Sequence, residues 1–315
     1  MSIVLVTGGA GFIGSHLCEK LLLLGHDVIN IDNFNSYYDP LLKRRNCIEA
    51  QAKQNYKLIQ GDIRDKVLLG QVFKKYKIDT IIHLAALAGV RKSIENTLEY
   101  VDVDIKGTVN LLEFSKMYNI KKFIFASTSS VYGFNGTPFK EEDSVISQAS
   151  PYAVAKLSGE LFCRNYNRLY GIPIVCLRFF TVYGPRQRPE MAIHHFTRCI
   201  EEGREVTIFG NGKSSRDYTY IEDIIQGIIA SMQVKSSFDI FNLGGAEPVA
   251  LNDLIYVIEK KLGKTSKKVY LGNQQGDVEH TYADITKAKK QLGYSPKVKL
   301  EEGIERFIHW YRGIV

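Results

Sequence analysis

The stretch Thr7-Gly-Gly-Ala-Gly-Phe-Ile-Gly14 decides the fold of this chain, because of what stands on either side of it. A short β-branched apolar run at residues 3–6 precedes it, and a helical pattern over residues 13–24 follows it and ends at Gly25. A strand, a glycine-rich turn and a helix in this order are typical of a dinucleotide-binding unit. The glycines permit a tight turn and the approach of a pyrophosphate to the backbone, and the start of the helix offers free N–H groups.

A second apolar strand pattern, over residues 27–32, ends in the carboxylate of Asp32. In a dinucleotide-binding unit, an acid at this position holds the hydroxyl groups of the adenosine ribose and repels a 2′-phosphate. No arginine stands directly after Asp32, which also favours NAD over NADP. The sequence therefore predicts an NAD site.

The alternation of strands and helices continues through the first half of the chain. Apolar strand patterns occupy residues 56–60, 80–84 and 122–127, and helical patterns, the longest over residues 98–118, lie between them. Repeated β-α units with short connections predict an α/β fold with a doubly wound parallel sheet of the Rossmann type. The pattern becomes irregular after Arg178, so we expect a smaller C-terminal α/β domain to begin there.

Ligands of such sheets bind beyond the carboxyl ends of the strands. Three predicted ends should therefore meet, namely the glycine turn, Ala85-Ala86 and Ser127-Thr-Ser-Ser130. Asp62, in the turn after the third strand, could reach the adenine or could simply cap its turn, and both interpretations stay open.

Tyr152 and Lys156 begin the next helix, and their spacing of four residues places both side chains on one helical face. An ammonium about 4–6 Å from a phenol lowers the pKa of the phenol by about 2–3 units. A tyrosine with a lowered pKa can take a proton from an alcohol near neutral pH. An isolated pair of this kind is more often part of an ordinary surface helix. Only the convergence of the strand ends near this pair favours a catalytic role.

Composition and charge restrict the partners, the location and the metal sites that we expect for this chain. The formal net charge is +7, but lysines and arginines are interleaved with acids, so we predict no nucleic-acid partner. No apolar run approaches the roughly 18–20 residues of a membrane span, and no charged and apolar leader precedes the first strand. Five cysteines without a C-x-x-C pair favour a reducing compartment, so a cytoplasmic location is expected. His194 and His195 point to different helical faces and have no third ligand at suitable spacing, so no metal site is predicted.

The glycine turn, Asp32, the Ser-Thr-Ser-Ser-Val-Tyr-Gly run at 127–133 and the Tyr152/Lys156 pair together resemble the extended short-chain dehydrogenase/reductases, and more narrowly the nucleotide-sugar epimerases and dehydratases. The resemblance covers essentially the whole length. In that family a tyrosine, a lysine and a serine or threonine form the catalytic group. Carried over by position, these residues are Tyr152, Lys156 and Thr128.

One position departs from the family pattern. The family usually has asparagine three residues before the glycine of Gly107-Thr108, where this chain has Asp104. A carboxylate there could change local hydrogen bonding or the placement of the nicotinamide, so Asp104 is not included among the predicted catalytic residues.

The residues after Thr128 bear on the type of reaction. The sugar dehydratases of the family carry an Asp-Glu pair there, because elimination of water needs an acid and a base, and its UDP-glucuronate decarboxylases keep a glutamate at the second position. Here both positions are hydroxyls, Ser129 and Ser130. Elimination is thus poorly supported, and the resemblance implies epimerisation at C4 through a transient ketone.

Two further stretches resemble the UDP-glucuronate 4-epimerases: residues 32–39 with Leu42-Lys43, and residues 181–192. A C6 carboxylate beside a C4 ketone is a β-keto acid, which loses carbon dioxide unless the carboxylate is held by hydroxyl and cationic donors. Arg188 with Thr181, Ser129 and Ser130 has the residue types for this, and Arg186 is a weaker candidate. Alternatives are a UDP-glucose or UDP-N-acetylglucosamine 4-epimerase, a UDP-glucuronate decarboxylase, and a non-catalytic NAD-binding scaffold.

The resemblance completes the predicted sites. The residues predicted to bind NAD are Gly8, Gly11, Phe12, Ile13, Gly14, Asp32, Asn33, Lys43, Asp62, Ile63, Leu84, Ala85, Ala86, Tyr152 and Lys156. The residues predicted to bind the UDP-sugar are Arg91, Thr128, Ser129, Ser130, Thr181, Arg186, Arg188, Arg216 and Asp277, with Arg216 on the diphosphate and Asp277 near the uridine ribose. A homodimer formed through helices at about 98–118 and 152–170 is also expected. The predicted domains are residues 1–180 with about 217–243 for NAD, and residues 181–216 with 244–315 for the nucleotide sugar.

Overall fold

The computed structural model describes residues 2–272, 274 and 276–314 of the chain. Its central element is a seven-stranded sheet in which all neighbouring strands are parallel. The strands, in chain order, are β1 (Ile3–Thr7), β2 (Asp27–Asp32), β3 (Tyr56–Gln60), β4 (Thr80–His83), β5 (Lys122–Thr128), β6 (Ile174–Phe179), β7 (Thr181–Tyr183), β8 (Val206–Phe209), β9 (Ser215–Tyr220), β10 (Phe238–Leu243), β11 (Pro248–Ala250) and β12 (Lys268–Leu271).

Helices cover the sheet and build the C-terminal part. They are α1 (Phe12–Leu23), α2 (Pro40–Asn46), α3 (Ile48–Gln51), α4 (Lys66–Lys75), α5 (Val90–Glu95), α6 (Thr97–Tyr100), α7 (Gly107–Met117), α8 (Pro151–Tyr170), α9 (Ala192–Glu201), α10 (Ile221–Ser231), α11 (Leu251–Leu262), α12 (Thr286–Leu292) and α13 (Leu300–Ile314). Among the described residues, no helix has the length and apolar composition that a membrane crossing requires.

The strand order of the large sheet is β10-β6-β5-β4-β1-β2-β3, so the direction of winding reverses between β1 and β4. Thr7 at the end of β1 is paired with His83 at the end of β4, which places these two carboxyl ends side by side. A crevice at such a switch point is where doubly wound sheets bind their ligands. The prediction of a Rossmann-type parallel sheet is confirmed.

The apolar strands explain why the sheet lies in the middle of the molecule. Side chains alternate along β1, so that Val4 and Val6 belong to the core on one face and Leu5 to the core on the other. Burial on both faces requires a nearly continuous apolar run, and residues 4–7 are all buried.

Helix α8 has clear start and stop signals. The Ser150 side chain accepts a hydrogen bond from the backbone N–H of Ala153, and Pro151 occupies the first helical position, where it has no hydrogen bond to lose. Gly171 ends the helix in the left-handed conformation, with φ of 69°. These signals fix Tyr152 and Lys156 in the first two turns.

The C-terminal part contains two small sheets, with strand orders β11-β9-β7 and β12-β8. β10 returns to the large sheet beside β6, whereas β9 pairs with β7 and β11 in the three-stranded sheet.

The helix predicted over residues 98–118 is present without a break from residue 97 to residue 117, but it is not a single regular α-helix. A π-helical segment, Val101–Lys106, separates α6 from α7. Asp104 lies within this segment, where its backbone carbonyl accepts a hydrogen bond from the Thr108 hydroxyl at 2.5 Å. π-Helical segments are frequent at functional sites. In this segment the side chain of Asp104 is buried.

Candidate active site

A cavity of about 450 Å³ lies at the carboxyl ends of the central strands. The glycine turn, the Ala85-Ala86 segment and the end of β5 all contribute to its wall, so the three predicted strand ends do meet. All fifteen residues predicted to bind NAD line this cavity, and so do five of the residues predicted to bind the sugar: Thr128, Ser129, Ser130, Thr181 and Arg188.

The glycine turn is shaped for close approach of backbone to backbone. Gly8 has φ of +74°, and a Cβ there would lie 2.7 Å from the backbone nitrogen of Ala85. A Cβ at Gly14 would lie 2.2 Å from the carbonyl oxygen of Gly8. Gly11, the residue before α1, makes no side-chain cap, so the helix presents its first N–H groups without a side-chain partner. Free amides at this position fit a pyrophosphate.

Asp32 is buried at the end of β2 and is held from two sides. Its Oδ2 accepts a hydrogen bond from the backbone of Ala10 at 3.0 Å, and its Oδ1 accepts one from the backbone of Phe34 at 2.9 Å. A carboxylate has about four acceptor positions, so these bonds fix the group and leave capacity for ribose hydroxyls.

The two interpretations of Asp62 turn out to be compatible. Its Oδ1 accepts a hydrogen bond from the backbone of Arg64 at 2.8 Å and so caps the turn, while the residue also lines the cavity. The Arg64 guanidinium lowers the pKa of Asp62 to about 2. The Asn33 amide donates to Asp62 at 2.9 Å, which joins the ends of β2 and β3 at the rim of the cavity.

Lys43 supports the loop between β2 and α2. Its buried ammonium donates to the backbone carbonyl and the side-chain oxygen of Asn35, at 2.9 and 2.6 Å. Burial lowers the pKa of Lys43. Asn35 and Lys43 both line the cavity, so this contact forms part of its wall.

Tyr152 and Lys156 both face the cavity from α8. The Lys156 ammonium is buried and donates to the carbonyl of Ala126 at 3.0 Å. Its pKa is lowered by that burial. This bond ties the helix to β5 two residues before the strand ends at Thr128.

The lowered pKa predicted for Tyr152 was wrong for the chain without ligands. Burial and the nearby Asp104 carboxylate raise the pKa of Tyr152 to about 12, although the Thr128 hydroxyl and Arg188 act in the opposite direction. The physical reason is that the phenolate loses its hydration, and an anion that the spacing argument did not include faces the same group.

The hydroxyl cluster after β5 forms one side of the cavity. The Thr128 hydroxyl donates to Ser130 Oγ at 3.2 Å and accepts from the backbone N–H of Ser130, also at 3.2 Å. Among the residues described as lining this cavity, the carboxylates are Asp32 and Asp62, which belong to the ends of β2 and β3. Among the described lining residues, the hydroxyl end of the cavity therefore has hydrogen-bond donors and no carboxylate.

A buried ion pair lies behind this cluster. Arg178 Nε and Nη2 donate to the two carboxylate oxygens of Glu160 at 2.9 and 2.8 Å, and the Ser127 hydroxyl donates to Glu160 Oε1 at 2.5 Å. The three residues join α8, β5 and β6. They hold the strand end that carries Thr128 against the helix that carries Tyr152.

Arg188 lies beside the hydroxyl end of the cavity. Its Nη1 donates to the carbonyl of Ala88 at 2.9 Å and is 3.2 Å from a carboxylate oxygen of Glu190. The guanidinium also lies over the ring of Tyr37, 5.4 Å from its centroid. These contacts orient the group while leaving it on the cavity wall.

Arg186 is not among the residues that line the cavity, so the structure gives no support to its predicted place in the carboxylate site. Its φ of +67° lies in the left-handed region, and its Nη1 lies 2.8 Å from a carboxylate oxygen of Glu19 on α1. An ion partner from another element thus holds Arg186 outside the lining residues, although it stands only two residues before Arg188.

A second cavity of about 290 Å³ adjoins the first, because Thr181 and Met191 line both. The remaining predicted sugar-nucleotide residues lie in its wall: Arg91, Arg216 and Asp277. Arg91 Nη2 lies 3.6 Å from Asp277 Oδ2, and its guanidinium stacks 5.0 Å from the Phe209 ring centroid.

Several residues of the site were not predicted. Asn35, Tyr37 and Tyr38 line the main cavity and stand in the 32–39 stretch that the sequence singled out, so that stretch was the available signal. No sequence pattern predicted the ion pair between Glu160 and Arg178, because it depends on two elements that meet only in the folded chain.

The comparisons with known proteins agree with this geometry. A sequence model for the family GDP-mannose 4,6 dehydratase matches residues 5–307. A UDP-glucuronate 4-epimerase of Thermodesulfobacterium geofontis (strain OPF15) is 45% identical over 311 residues, which are 98% of this chain and 96% of that protein.

Solved structures give the same result. The UDP-glucuronic acid 4-epimerase from Bacillus cereus, in complex with UDP-glucuronic acid and NAD, superimposes with a TM-score of 0.93 at 41% identity, over 99% of this chain and 100% of that chain. A UDP-glucose 4-epimerase from Thermotoga maritima, with UDP-glucose, gives a TM-score of 0.92 at 35% identity over 99% of both chains. The predicted family is confirmed, and this chain belongs to the GDP-mannose 4,6-dehydratase family of nucleotide-sugar-modifying short-chain dehydrogenase/reductases.

Proposed function

We propose that this chain is an NAD-dependent epimerase that inverts C4 of UDP-glucuronate to give UDP-galacturonate, with no net oxidation or reduction. One observation carries the choice of substrate. Thr181, Ser129, Ser130 and Arg188 place hydroxyl and cationic donors on the cavity wall near Tyr152, and no carboxylate stands at that end among the described lining residues.

The residues fit the cofactor. Gly8, Gly11 and Gly14 leave room for a pyrophosphate at the first N–H groups of α1, and Asp32 is placed for ribose hydroxyls. Tyr152 and Lys156 would hold the nicotinamide ribose. When bound, NAD takes a hydride from C4 of the sugar and returns it to the opposite face.

The catalytic work of the chain itself is proton transfer at O4 of the sugar. The Thr128 hydroxyl would hydrogen bond to O4, and Tyr152 would accept the O4 proton and give it back. Only one Lys156 N–H bond, to Ala126, is present among the described residues, so further N–H groups can act on Tyr152 and the ribose. The Lys156 cation, one helical turn away on α8, favours the phenolate, against the burial that opposes it.

Retention of carbon dioxide is the special demand of this substrate. The ketone formed at C4 makes C6 a β-keto carboxylate, whose loss of carbon dioxide requires its negative charge to move onto the carbonyl. Arg188 and the Ser129 and Ser130 hydroxyls stabilise that charge where it stands, so they oppose decarboxylation.

The second cavity suits the nucleotide part of the substrate. Arg91 and Arg216 supply positive charge for a diphosphate, and Asp277 supplies an acceptor for ribose hydroxyls. Since Thr181 lies in both walls, the sugar would sit at the junction of the two cavities. The proposed domains correspond to the two ligands. Residues 1–180 with about 217–243 bind NAD, and residues 181–216 with 244–315 bind the nucleotide sugar.

A homodimer is part of this proposal. Apolar side chains are exposed on the helices that the sequence predicted as the interface: Leu98, Val101, Val154, Leu161 and Leu169. An apolar surface of this kind is typical of a protein contact. The five cysteines are free thiols, which supports a location in the reducing cytoplasm.

Product analysis tests the proposal. The chain is incubated separately with UDP-glucuronate, UDP-glucose and UDP-N-acetylglucosamine, and the products are identified by NMR. We expect UDP-galacturonate from the first sugar and slower conversion of the others. A UDP-pentose would indicate a decarboxylase, and conversion of neutral sugars alone would refute the assignment of the carboxylate site.

A further inference from the structure

Tyr37 lies beside the arginine that is proposed to hold the sugar carboxylate. The guanidinium carbon of Arg188 is 5.4 Å from the centroid of the Tyr37 ring, and both residues line the main cavity. A guanidinium within about 6 Å of an aromatic ring is attracted by the negative face of that ring. The mechanism above assigns no role to Tyr37, although its ring contacts the cation.

The other contacts of Arg188 hold the two ends of its guanidinium. Nη1 donates to the carbonyl of Ala88 at 2.9 Å and lies 3.2 Å from a carboxylate oxygen of Glu190, and Nη2 donates to Met191 Sδ at 3.4 Å. The Tyr37 ring adds support for the flat face of the group. The guanidinium has five N–H donors and makes two hydrogen bonds among the described residues, so donors remain for a carboxylate.

The Tyr37 ring is itself fixed in place. Lys92 Nζ lies 3.8 Å from the ring centroid and donates to the Tyr37 backbone carbonyl at 3.1 Å, which fastens this segment to α5. Gly89 leaves room for the Tyr37 hydroxyl, since a Cβ at Gly89 would lie 2.4 Å from the hydroxyl oxygen. The Tyr100 hydroxyl donates to the Gly89 carbonyl at 3.1 Å and so holds that part of the backbone.

An apolar cluster joins this ring to the tyrosine that is proposed as the base. The buried members of the cluster are Leu87, Tyr100 and Val103. Tyr37 and Tyr152 both pack against it, and the rings of Tyr100 and Tyr152 meet edge to face with their centroids 6.3 Å apart. Because Arg188 contacts Tyr37, the same cluster sets the positions of the base and of the cation.

We propose that Tyr37 is a positioning residue that sets the preference for an acidic sugar, because its ring holds the Arg188 guanidinium in a fixed position relative to Tyr152. The inference rests on the proposed function in so far as Arg188 is the group that meets the sugar carboxylate. UDP-glucuronate has to present O4 to Tyr152 and its carboxylate to Arg188 at the same time. UDP-glucose has no carboxylate, so it depends less on where the cation stands.

The first test compares Tyr37→Leu, which removes the ring, with Tyr37→Phe, which keeps the ring and removes the hydroxyl. Both variants are loaded with NAD, and kcat/KM on UDP-glucuronate is divided by kcat/KM on UDP-glucose. We expect this ratio to fall about fivefold in Tyr37→Leu and to stay within about twofold of wild type in Tyr37→Phe. Equal losses on both sugars in Tyr37→Leu would overturn the proposal, because they would indicate support of the fold alone.

A second test changes the charge distribution of the ring and keeps its shape. Phenylalanines that carry one, two or three ring fluorines are placed at position 37, and each fluorine weakens the negative face of the ring. The ratio for the two sugars should fall stepwise along this series, and the series should have no effect in an Arg188→Ala background. A ratio that stays constant along the series would overturn the proposal, including the case in which Tyr37→Leu does not fold.

A binding measurement separates this inference from the proposed reaction. Isothermal titration calorimetry of NAD-loaded Tyr152→Phe protein measures the affinity for each sugar without turnover. We expect tighter binding of UDP-glucuronate than of UDP-glucose, and a difference about fivefold smaller when Tyr37→Leu is added. If this narrowing is seen while wild type makes no UDP-galacturonate, the proposed reaction is wrong and the inference stands. Equal affinities, or a difference that Tyr37→Leu does not change, would overturn the inference even if wild type makes UDP-galacturonate.

Discussion

Glu160 and Arg178 form a two-bond ion pair with both side chains buried, directly behind the strand end that carries Thr128. Removal of one partner from such a pair leaves a charge without compensation in the interior, which typically destabilises a protein by about 3–5 kcal/mol. We therefore expect Glu160→Gln to lower the free energy of unfolding by about that amount. Urea unfolding monitored by circular dichroism measures it.

The matched control is Glu305→Gln, which breaks the exposed pair between Lys261 and Glu305. Water already solvates both of those charges, so little change in unfolding is expected. Equal destabilisation by the two variants would show that the buried Glu160–Arg178 pair contributes no more to the free energy of unfolding than the exposed pair does.

Tyr152→Phe should abolish epimerisation while NAD remains bound. The variant removes the hydroxyl that takes the O4 proton and keeps the ring, and loss of a general base typically lowers the rate about 10²–10⁴-fold. Product NMR measures turnover, and release of nucleotide on denaturation measures bound NAD. Tyr256→Phe, at an exposed position outside the residues that line the two cavities, is the control. Normal turnover by Tyr152→Phe would remove Tyr152 from the mechanism.

Arg188→Ala should weaken the handling of UDP-glucuronate more than that of UDP-glucose. Arg188 lies on the cavity wall beside the hydroxyl cluster, so the variant removes the cation proposed to hold the carboxylate. We expect a loss of kcat/KM of about 10-fold or more on UDP-glucuronate, since a charged hydrogen bond contributes about 1.5–3 kcal/mol, and a UDP-pentose by-product.

Arg186→Ala is the matched control for this prediction, because Arg186 stands two residues away and is paired with Glu19 outside the cavity. It should leave the ratio of activities on the two sugars unchanged. Equal losses on both sugars in Arg188→Ala would show that Arg188 supports the fold or the nucleotide and has no specific contact with the carboxylate.

The contrast between these two arginines shows how far sequence reasoning reaches. The glycine turn, Asp32 and the Tyr152/Lys156 pair were predictable, because their placement follows from the order of strands and helices and from periodicity within one element. Arg186 and Arg188 stand in an irregular segment, where the direction of each side chain depends on local backbone and on a partner from α1. No spacing rule within the segment distinguishes them.

The raised pKa of Tyr152 could not be predicted from the sequence, for a different reason. The spacing argument included the Lys156 charge but neither the burial of the phenol nor the charge of Asp104, which belongs to another helical segment. The Glu160–Arg178 pair is similar, since it joins a helix and a strand that are adjacent only in the folded chain. Electrostatics of a site depend on tertiary contacts, and those contacts are the part that local patterns do not contain.

Asp104 also makes a prediction about stability that needs no substrate. Its pKa is raised by burial from 3.8 to about 6 in the folded protein, so between these values the unfolded chain loses the proton while the folded chain keeps it. Stability is fully present below the unfolded pKa and falls as pH rises through the folded pKa, because the unfolded state binds fewer protons. The carboxylate thus destabilises the ligand-free protein above about pH 6, by about 3 kcal/mol at most.

Asp104→Asn cannot ionise and should escape this loss. We expect the thermal midpoint of the variant minus that of wild type to rise by several degrees between pH 4 and pH 8, with most of the change complete by about pH 6.5. Differential scanning calorimetry of the ligand-free proteins measures it, and Asp253→Asn in the first turn of α11 gives the matched comparison. A difference that is independent of pH would mean that Asp104 is ionised as readily in the fold as in the unfolded chain.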